Sequence, residues 1–197
     1  MDEYEIELAP RKAELFGRAL AGAHDVLELG IGSAKNLRFF PSSVRNVIGI
    51  DPNPFNFDFA SQSAASANVP LRLVAATAEA LPLEDASVDA VVSTLVFCSV
   101  SSPARVFAEA ARVLRPGGRL VLIEHVAADF DQPLLVAAQT LLDPLQQAVA
   151  GGCHLRRNTE ASLRAAAGFQ DVNVERFSVD SVSLISPHLA GIAVRSA

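Results

Sequence analysis

Short apolar runs recur along most of the chain, and residues that favour turns stand on either side of each run. Runs of this kind, bounded by Gly, Pro, Asn or Asp, predict buried strands. We expect five such strands before the last third of the chain, over 25–29, 46–51, 71–75, 88–93 and 119–124.

Apolar residues with helical spacing occupy the intervals between these strands. The expected helices lie over 9–20, 34–40, 59–67 and 103–114. Strands that alternate with helices at regular intervals are typical of an α/β fold, in which a mostly parallel sheet carries helices on both faces.

The pattern changes after the fifth strand. Apolar residues recur three and four positions apart over 134–148, and Asp143-Pro144 is expected to kink or split that helix. A polar cap at Asn158 begins a further helix, which ends at Gly168. Two late strands follow, over 172–179 and 191–195. We expect a single domain over 1–197, with segment 127–157 covering the substrate.

The composition excludes several classes of protein. Half of the 197 residues are hydrophobic and the formal net charge is −6, which argues against disorder and against a nucleic-acid-binding face. No apolar run reaches the roughly 20 residues of a membrane span, and the start of the chain lacks a signal-peptide pattern. We expect a cytoplasmic protein, or one at an organelle or membrane surface if a leader or anchor has been removed.

The cysteines and histidines give no metal-binding pattern. Cys98 and Cys153 lack C-x-x-C spacing, and the four histidines are far apart in the chain. We therefore predict no metal site and a reduced, intracellular chain, in which the two cysteines are packing residues rather than covalent relays.

A ligand site is predicted where the first strand ends. Gly30 and Gly32 would permit a tight turn and a close approach of backbone to ligand, with a helix N-terminus behind them. Asp51 ends the second strand, 19 positions after Gly32, where an acid can hold ribose hydroxyls. Lys35 replaces the third glycine of a dinucleotide-binding turn, so we predict a nucleoside site without a requirement for pyrophosphate.

Five motifs in order resemble those of class I methyltransferases, which use S-adenosylmethionine. They are 27–32, Asp51, 76–82, 88–92 and 112–118. This resemblance covers nearly the whole chain and implies a Rossmann-like, doubly wound, mostly parallel seven-stranded sheet with one antiparallel edge-side strand.

Five further segments resemble the methyltransferase-like seven family and its plant relatives, within the methyltransferase type 11 group. They are 94–100, 124–128, 142–144, 152–155 and 187–188. Animal members of that family are membrane-associated alkyl-thiol methyltransferases, so a thiol acceptor is implied.

The chain departs from the methyltransferase-like seven family in two places. It lacks the N-terminal hydrophobic anchor, which puts membrane attachment in question, and Ala34 stands where the family usually has a third glycine.

The resemblance implies S-adenosylmethionine as cofactor and S-adenosylhomocysteine as product. Glu28 would receive the cofactor's ammonium, Asp51 two ribose hydroxyls and the Ala78 backbone the adenine edge, while Thr94 and Leu95 would lie near the sulfonium. The full expected set is Glu28, Gly30, Gly32, Asp51, Pro52, Thr77, Ala78, Glu79, Thr94 and Leu95.

Candidates for assisting the acceptor are His125, Asp143 and His154, with His188 as a further histidine. A thiol has an ordinary pKa of about 8.5, so only modest help is needed for ionisation. The alternatives left open are methylation at carbon or oxygen of a quinone- or sterol-like acceptor, a catalytically silent cofactor-binding module, and a nicotinamide-dependent dehydrogenase. We expect a small-molecule substrate and no nucleic acid, and the sequence leaves the oligomeric state open.

Overall fold

The computed structural model describes residues 3–197, so Met1 and Asp2 of the expected domain lie outside the described residues. The helices are α1 (Glu3–Ala19), α2 (Phe57–Ala67), α3 (Pro103–Val113), α4 (Pro133–Val149) and α5 (Thr159–Ala165). The strands are β1 (Asp25–Leu29), β2 (Asn46–Asp51), β3 (Leu71–Ala75), β4 (Val88–Thr94), β5 (Leu114–His125), β6 (Phe169–Ser178) and β7 (Pro187–Arg195).

The strands form one seven-stranded sheet in the order β3-β2-β1-β4-β5-β7-β6. Strands β1 to β5 pair in parallel, and β7 runs antiparallel to both of its neighbours, β5 and β6. The predicted fold is confirmed: β7 is the antiparallel strand, and it lies one position in from the edge. The order reverses at β1 and β4, where doubly wound sheets open a crevice for ligands at their carboxyl ends.

Side chains that alternate along the strands separate two apolar cores. Val26 packs in one core with α1 and α2, whereas its neighbour Leu27 packs in the other with α3 and α5. Val121 and Leu122 divide in the same way along β5. Because both faces of these strands are covered, their apolar runs are nearly continuous, as expected for a buried parallel sheet.

The expected helix over 34–40 is wrong. Only a single 3₁₀ turn forms there, over Leu37–Phe39. The chain enters it with positive φ at Gly32 (48°) and Ala34 (57°), a conformation that a right-handed helix cannot contain. The side chain of Asn36 is also bonded to groups of the sheet, as described below. The predicted helix N-terminus behind the glycine turn is therefore absent from the described structure.

Helix α4 is not split at Pro144 and runs unbroken from Pro133 to Val149. Proline removes one N–H from the helix and crowds the carbonyl four residues earlier. The adjacent Asp143 carboxylate accepts bonds from Gln147 Nε2 (2.7 Å) and Leu155 N (2.6 Å), which fix the last turns. No helix among residues 3–197 is long and apolar enough to cross a bilayer.

The one buried side chain of α4 is polar. Gln139 accepts a bond from Ala128 N (2.8 Å) and donates one to Leu184 O (3.1 Å). Five large apolar side chains of the helix, including Leu141 and Leu145, are exposed, and only Leu135 and Val136 are half-buried. Polar bonds rather than apolar packing thus hold this segment on the rest of the molecule.

Candidate functional site

The backbone of the turn after β1 lies in close contact with side chains of two other segments. Gly30 has φ 58°, and a Cβ atom at this position would lie 2.6 Å from Val96 Cγ2. A side chain at position 30 would therefore require Val96 to move. Gly32 N donates a 3.0 Å bond to Asp51 Oδ2, so the turn is tied to the end of β2.

Asp51 is half-buried at the carboxyl end of β2. Its Oδ1 accepts a bond from Asn53 N (2.9 Å), and its Oδ2 accepts the bond from Gly32 N. An ionised carboxylate has about four lone-pair positions, so each oxygen keeps the capacity to accept one hydroxyl. Asp51 therefore both shapes the glycine turn and retains free acceptor positions beside it.

Behind the turn lies a buried cluster of three polar side chains, of which Glu28 and Thr94 were predicted as site residues and Asn36 was not. Asn36 Nδ2 donates to Glu28 Oε1 (2.6 Å) and to Thr94 Oγ1 (3.1 Å). Glu28 Oε2 and Asn36 Oδ1 are buried without a hydrogen-bond partner. Burial raises the pKa of the Glu28 carboxyl to about 8. Asn36 was missed because it lies in a stretch with apparent helical character, and only its bonding amide could have drawn attention to it.

A cavity of about 320 Å³ opens at the carboxyl ends of β1 and β2. Six of the predicted cofactor residues line it: Gly30, Pro52, Thr77, Ala78, Glu79 and Leu95. The wall residues that were not predicted are Ile50, Ala76, Val96, Ser99, Val100, Ser101 and Gly151. Glu28, Gly32, Asp51 and Thr94 are not part of this wall. A larger cavity of about 490 Å³ lies between 33–38 and α2, away from the strand ends where such sheets bind ligands.

Glu79 has a structural role in the wall of the cavity. Its Oε1 accepts bonds from Ser101 N (2.8 Å) and Ser102 N (3.4 Å), and Ser102 caps the N-terminus of α3. A carboxylate at a helix N-terminus is stabilised by the helix dipole. Glu79 thus joins the segment after β3 to the loop after β4, and both segments contribute to the cavity.

A buried carboxylate shapes the loop after β4. Glu124 accepts bonds from Ser93 Oγ (2.7 Å), Val96 N (3.1 Å) and Phe97 N (3.1 Å). Burial raises its pKa to about 7. Leu95, in the same loop, has φ 60°, which strains an L-residue. The loop is therefore held in an unusual conformation by a side chain of β5.

The three predicted catalytic residues lie in one region of the molecule, but none of them lines the cavity. His125 ends β5 and is buried, with Nε2 placed 3.1 Å from Cys153 Sγ. His154 Nδ1 lies 3.9 Å from Asp143 Oδ2, and His154 N donates to Cys98 O (2.8 Å). This last bond holds the segment after α4 on the loop after β4.

Cys98, His125 and Cys153 form a buried cluster. Their ligand atoms all lie within 4.8 Å of one another, although 55 residues of chain separate the two cysteines. A hydrogen bond from the Cys98 thiol and the nearby His125 ring lower the pKa of the Cys153 thiol, whereas the same pairing and burial raise the pKa of Cys98. Both cysteines are free and buried, as expected of packing residues, but their meeting with His125 was not expected. Sequence spacing could not have predicted the cluster, since the sheet and α4 bring its members together.

Comparison with known proteins identifies the family. A family described as a methyltransferase domain matches residues 27–122. Human thiol S-methyltransferase TMT1A is 36% identical over 202 residues, which cover 98% of this chain and 81% of that protein. Human TMT1B is 38% identical over 199 residues, which cover 96% and 80%. The chain belongs to the S-adenosylmethionine-dependent methyltransferases.

The fold of this methyltransferase agrees with its family. The structure of a geranyl diphosphate methyltransferase in complex with SAM superposes with a TM-score of 0.70 at 18% identity and covers 94% of this chain and 84% of that one. At this level of identity the likeness concerns the fold. The predictions of a methyltransferase, of its cofactor and of its resemblance to thiol methyltransferases are confirmed.

The unpartnered atoms behind the turn fit the cofactor that the family uses. S-adenosylmethionine carries an ammonium group, and Glu28 Oε2 and Asn36 Oδ1 are two buried oxygens without a hydrogen-bond partner. The missing Cβ at Gly30 leaves backbone open beside the cavity. A buried acceptor without a donor is costly, so these atoms are better satisfied when a donor binds, directly or through water. The individual contacts remain predictions.

Proposed function

We propose that this methyltransferase moves a methyl group to the sulfur of a small thiol. The observation that carries the proposal is the 36–38% identity to two human proteins named thiol S-methyltransferases, over 96–98% of the chain. This alignment extends past the methyltransferase-domain match at 27–122 and includes the segments after β5, where acceptor specificity is expected to lie.

The cofactor would occupy the cavity at the carboxyl ends of β1 and β2. When bound, S-adenosylmethionine supplies a methyl group already activated on a sulfonium, so the protein has to bind, align and exclude water. In this proposal Glu28 and Asn36 accept from the ammonium, and Asp51 accepts from the ribose hydroxyls. The segment over Thr77–Glu79 holds the adenine, with Pro52 beside it.

The acceptor would enter between the loop after β4 and the segment after α4. Leu95, Ser99 and Gly151 lie in this part of the cavity wall. We assign segment 127–157 as the acceptor cover, because its helix is attached mainly through polar bonds and can adjust. We also assign Asp143 as a positioning residue, since its carboxylate holds Leu155 N. The backbone bond from His154 N to Cys98 O fixes the same segment on the loop after β4.

Methyl transfer from labelled S-adenosylmethionine to a panel of small thiols tests the proposal, with phenols, amines and quinones as competing acceptors. Labelled methyl thioether is expected, and label on oxygen or carbon would replace the thiol by another acceptor class. Tight cofactor binding without any turnover would identify a silent binding module. Asp51→Ala should weaken S-adenosylhomocysteine binding at least tenfold, and unchanged affinity would refute the ribose assignment.

A further inference from the structure

The Cys98–His125–Cys153 cluster is assembled from three separate parts of the fold. Cys98 lies in the loop after β4, His125 ends β5, and Cys153 follows α4. Their side chains are almost fully buried, with exposed fractions of 3%, 2% and 8%. Three potential metal ligands therefore share one buried site.

The ligand atoms have a separation that suits one small cation. His125 Nε2 and Cys153 Sγ are 3.1 Å apart, and all three ligand atoms lie within 4.8 Å of one another. In a tetrahedral zinc site with bonds of about 2.1 Å to nitrogen and about 2.3 Å to sulfur, ligand atoms are roughly 3.5–3.8 Å apart. The three ligand atoms could therefore bind one cation after side-chain shifts of about 1 Å.

The chemistry of the three side chains indicates which metal the cluster would favour. Two thiols and one imidazole are soft or borderline ligands, which favour Zn²⁺ over Mg²⁺ or Ca²⁺. Ring nitrogen Nδ1 of His125 has no hydrogen-bond partner among the described residues, so the polar contact of this ring is directed at the sulfurs.

We propose that Cys98, His125 and Cys153 form a zinc site with three protein ligands. The bound ion would join the loop after β4 to the segment after α4, in addition to the bond from His154 N to Cys98 O. Ser99 and Gly151, neighbours of two of the ligands, line the cavity. Zinc would therefore fix two walls of the acceptor entrance. This site does not depend on which acceptor the enzyme methylates.

Metal titration of the reduced full chain, first stripped by a chelator, tests the site. We expect uptake of one equivalent of Zn²⁺ by isothermal titration. Co²⁺ should give the intense visible bands of tetrahedral coordination together with a thiolate charge-transfer band. Cys153→Ser and His125→Gln should each weaken Zn²⁺ affinity at least tenfold and remove the Co²⁺ bands, whereas His24→Gln, at an exposed histidine outside the cluster, should change neither.

Three outcomes would overturn the zinc site. One is the absence of stoichiometric uptake by the reduced wild-type chain, which needs no variant to fold. Another is unchanged Zn²⁺ affinity in a Cys153→Ser chain that retains the circular dichroism of the wild type. The third is a mass lower by two hydrogens before reduction, combined with no zinc uptake after it, which would identify a disulfide pair instead.

Discussion

Two regions of this methyltransferase meet at the cavity, and they are built in different ways. The cofactor region consists of strand ends and the turns that follow them, so backbone geometry determines its shape. Gly30 and Asp51 are examples, since each lies where a strand of the parallel sheet stops. The acceptor region consists of α4 and the segment after it, which isolated hydrogen bonds attach to the loops that follow the strands.

The two regions are expected to respond differently to amino-acid substitutions. In the cofactor region a single added methyl group at Gly30 collides with Val96. In the acceptor region the attachments are single hydrogen bonds, such as the one from His154 N to Cys98 O and the one from Gln139 Nε2 to Leu184 O, and each contributes about 1 kcal/mol net. The first region is expected to be rigid and shared with other methyltransferases, and the second to be adjustable and specific for its acceptor.

The largest effect is expected from Gly30→Ala. The left-handed backbone at φ 58° costs an L-residue about 1–2 kcal/mol, and the 2.6 Å approach to Val96 Cγ2 adds an overpacking cost of about 1–3 kcal/mol. We expect a clear loss of stability by denaturant unfolding and at least a hundredfold loss of cofactor affinity. Gly117→Ala is the matched control, since Gly117 has φ 76° and nothing within 4 Å. Equal losses in both variants would mean that backbone strain alone is responsible.

Asp143→Asn should have a smaller effect, and this effect should fall on the acceptor rather than on the cofactor. The amide can accept only one of the two bonds that the carboxylate accepts from Leu155 N and Gln147 Nε2. We expect the acceptor KM to rise about tenfold while cofactor affinity stays within about twofold, because a lost bond of this kind costs about 1–3 kcal/mol. Asp51→Asn should give the reverse pattern. A fall in kcat at unchanged acceptor KM would instead make Asp143 a catalytic base.

The same contrast explains how much the sequence could predict. The bounds of β1, β2 and β3 were predicted correctly because continuous apolar runs between turn residues specify buried parallel strands. The strands β5, β6 and β7 begin earlier than predicted, at Leu114, Phe169 and Pro187. Leu114 already pairs with β4 ahead of a register shift, and β6 and β7 pair with each other from Phe169 and Pro187 onwards.

The sequence predictions fail where bonds between side chains determine the structure. The helix expected over 34–40 fails because Ala34 is left-handed and Asn36 is bonded to Glu28. The cysteine–histidine cluster was not foreseen because its members meet only after α4 has docked. Sequence periodicity reports local structure and burial, and it carries no information on which distant polar groups bond to each other.

The pH dependence of the unfolding free energy should reveal the raised pKa of Glu28 in the folded state. Burial raises its folded pKa to about 8, above its ordinary value of 4.5. Between these two values the folded state holds a proton that the unfolded state has lost, so stability falls as the pH rises through this window and is level above it. The slope from one such group is at most about 1.4 kcal/mol per pH unit.

Glu28→Gln should therefore flatten the dependence of unfolding free energy on pH between about pH 5 and about pH 8. A residual slope is expected from Glu124, whose pKa is also raised. Glu109→Gln is the control with opposite sign, because Arg112 lowers the pKa of Glu109 and its stabilising effect is lost as the pH falls. An unchanged slope in Glu28→Gln would show that Glu28 is ionised in the folded enzyme.

The smallest effects are expected when glycine replaces two alanines with strained backbone, one in the cofactor turn and one outside it. Ala34 and Ala86 have φ 57° and 51°, which cost an L-residue about 1–2 kcal/mol. Ala34 is buried and Ala86 is exposed. Replacement by glycine relieves the strain at both sites but increases the entropy of the unfolded chain by about 0.4–1 kcal/mol. At Ala34 it also removes a buried methyl group worth about 0.8 kcal/mol.

We therefore expect Ala86→Gly to stabilise the enzyme by about 0.5 kcal/mol and Ala34→Gly to leave its stability nearly unchanged, measured by denaturant unfolding. Cofactor affinity separates the two sites further. If the rigidity of the turn pre-organises Asp51 and Gly32, Ala34→Gly should weaken S-adenosylhomocysteine binding several-fold, because a more flexible turn loses more entropy when the ligand binds. Ala86→Gly should have no effect on binding. Tighter binding by Ala34→Gly would mean that the strain at Ala34 opposes the cofactor-bound conformation.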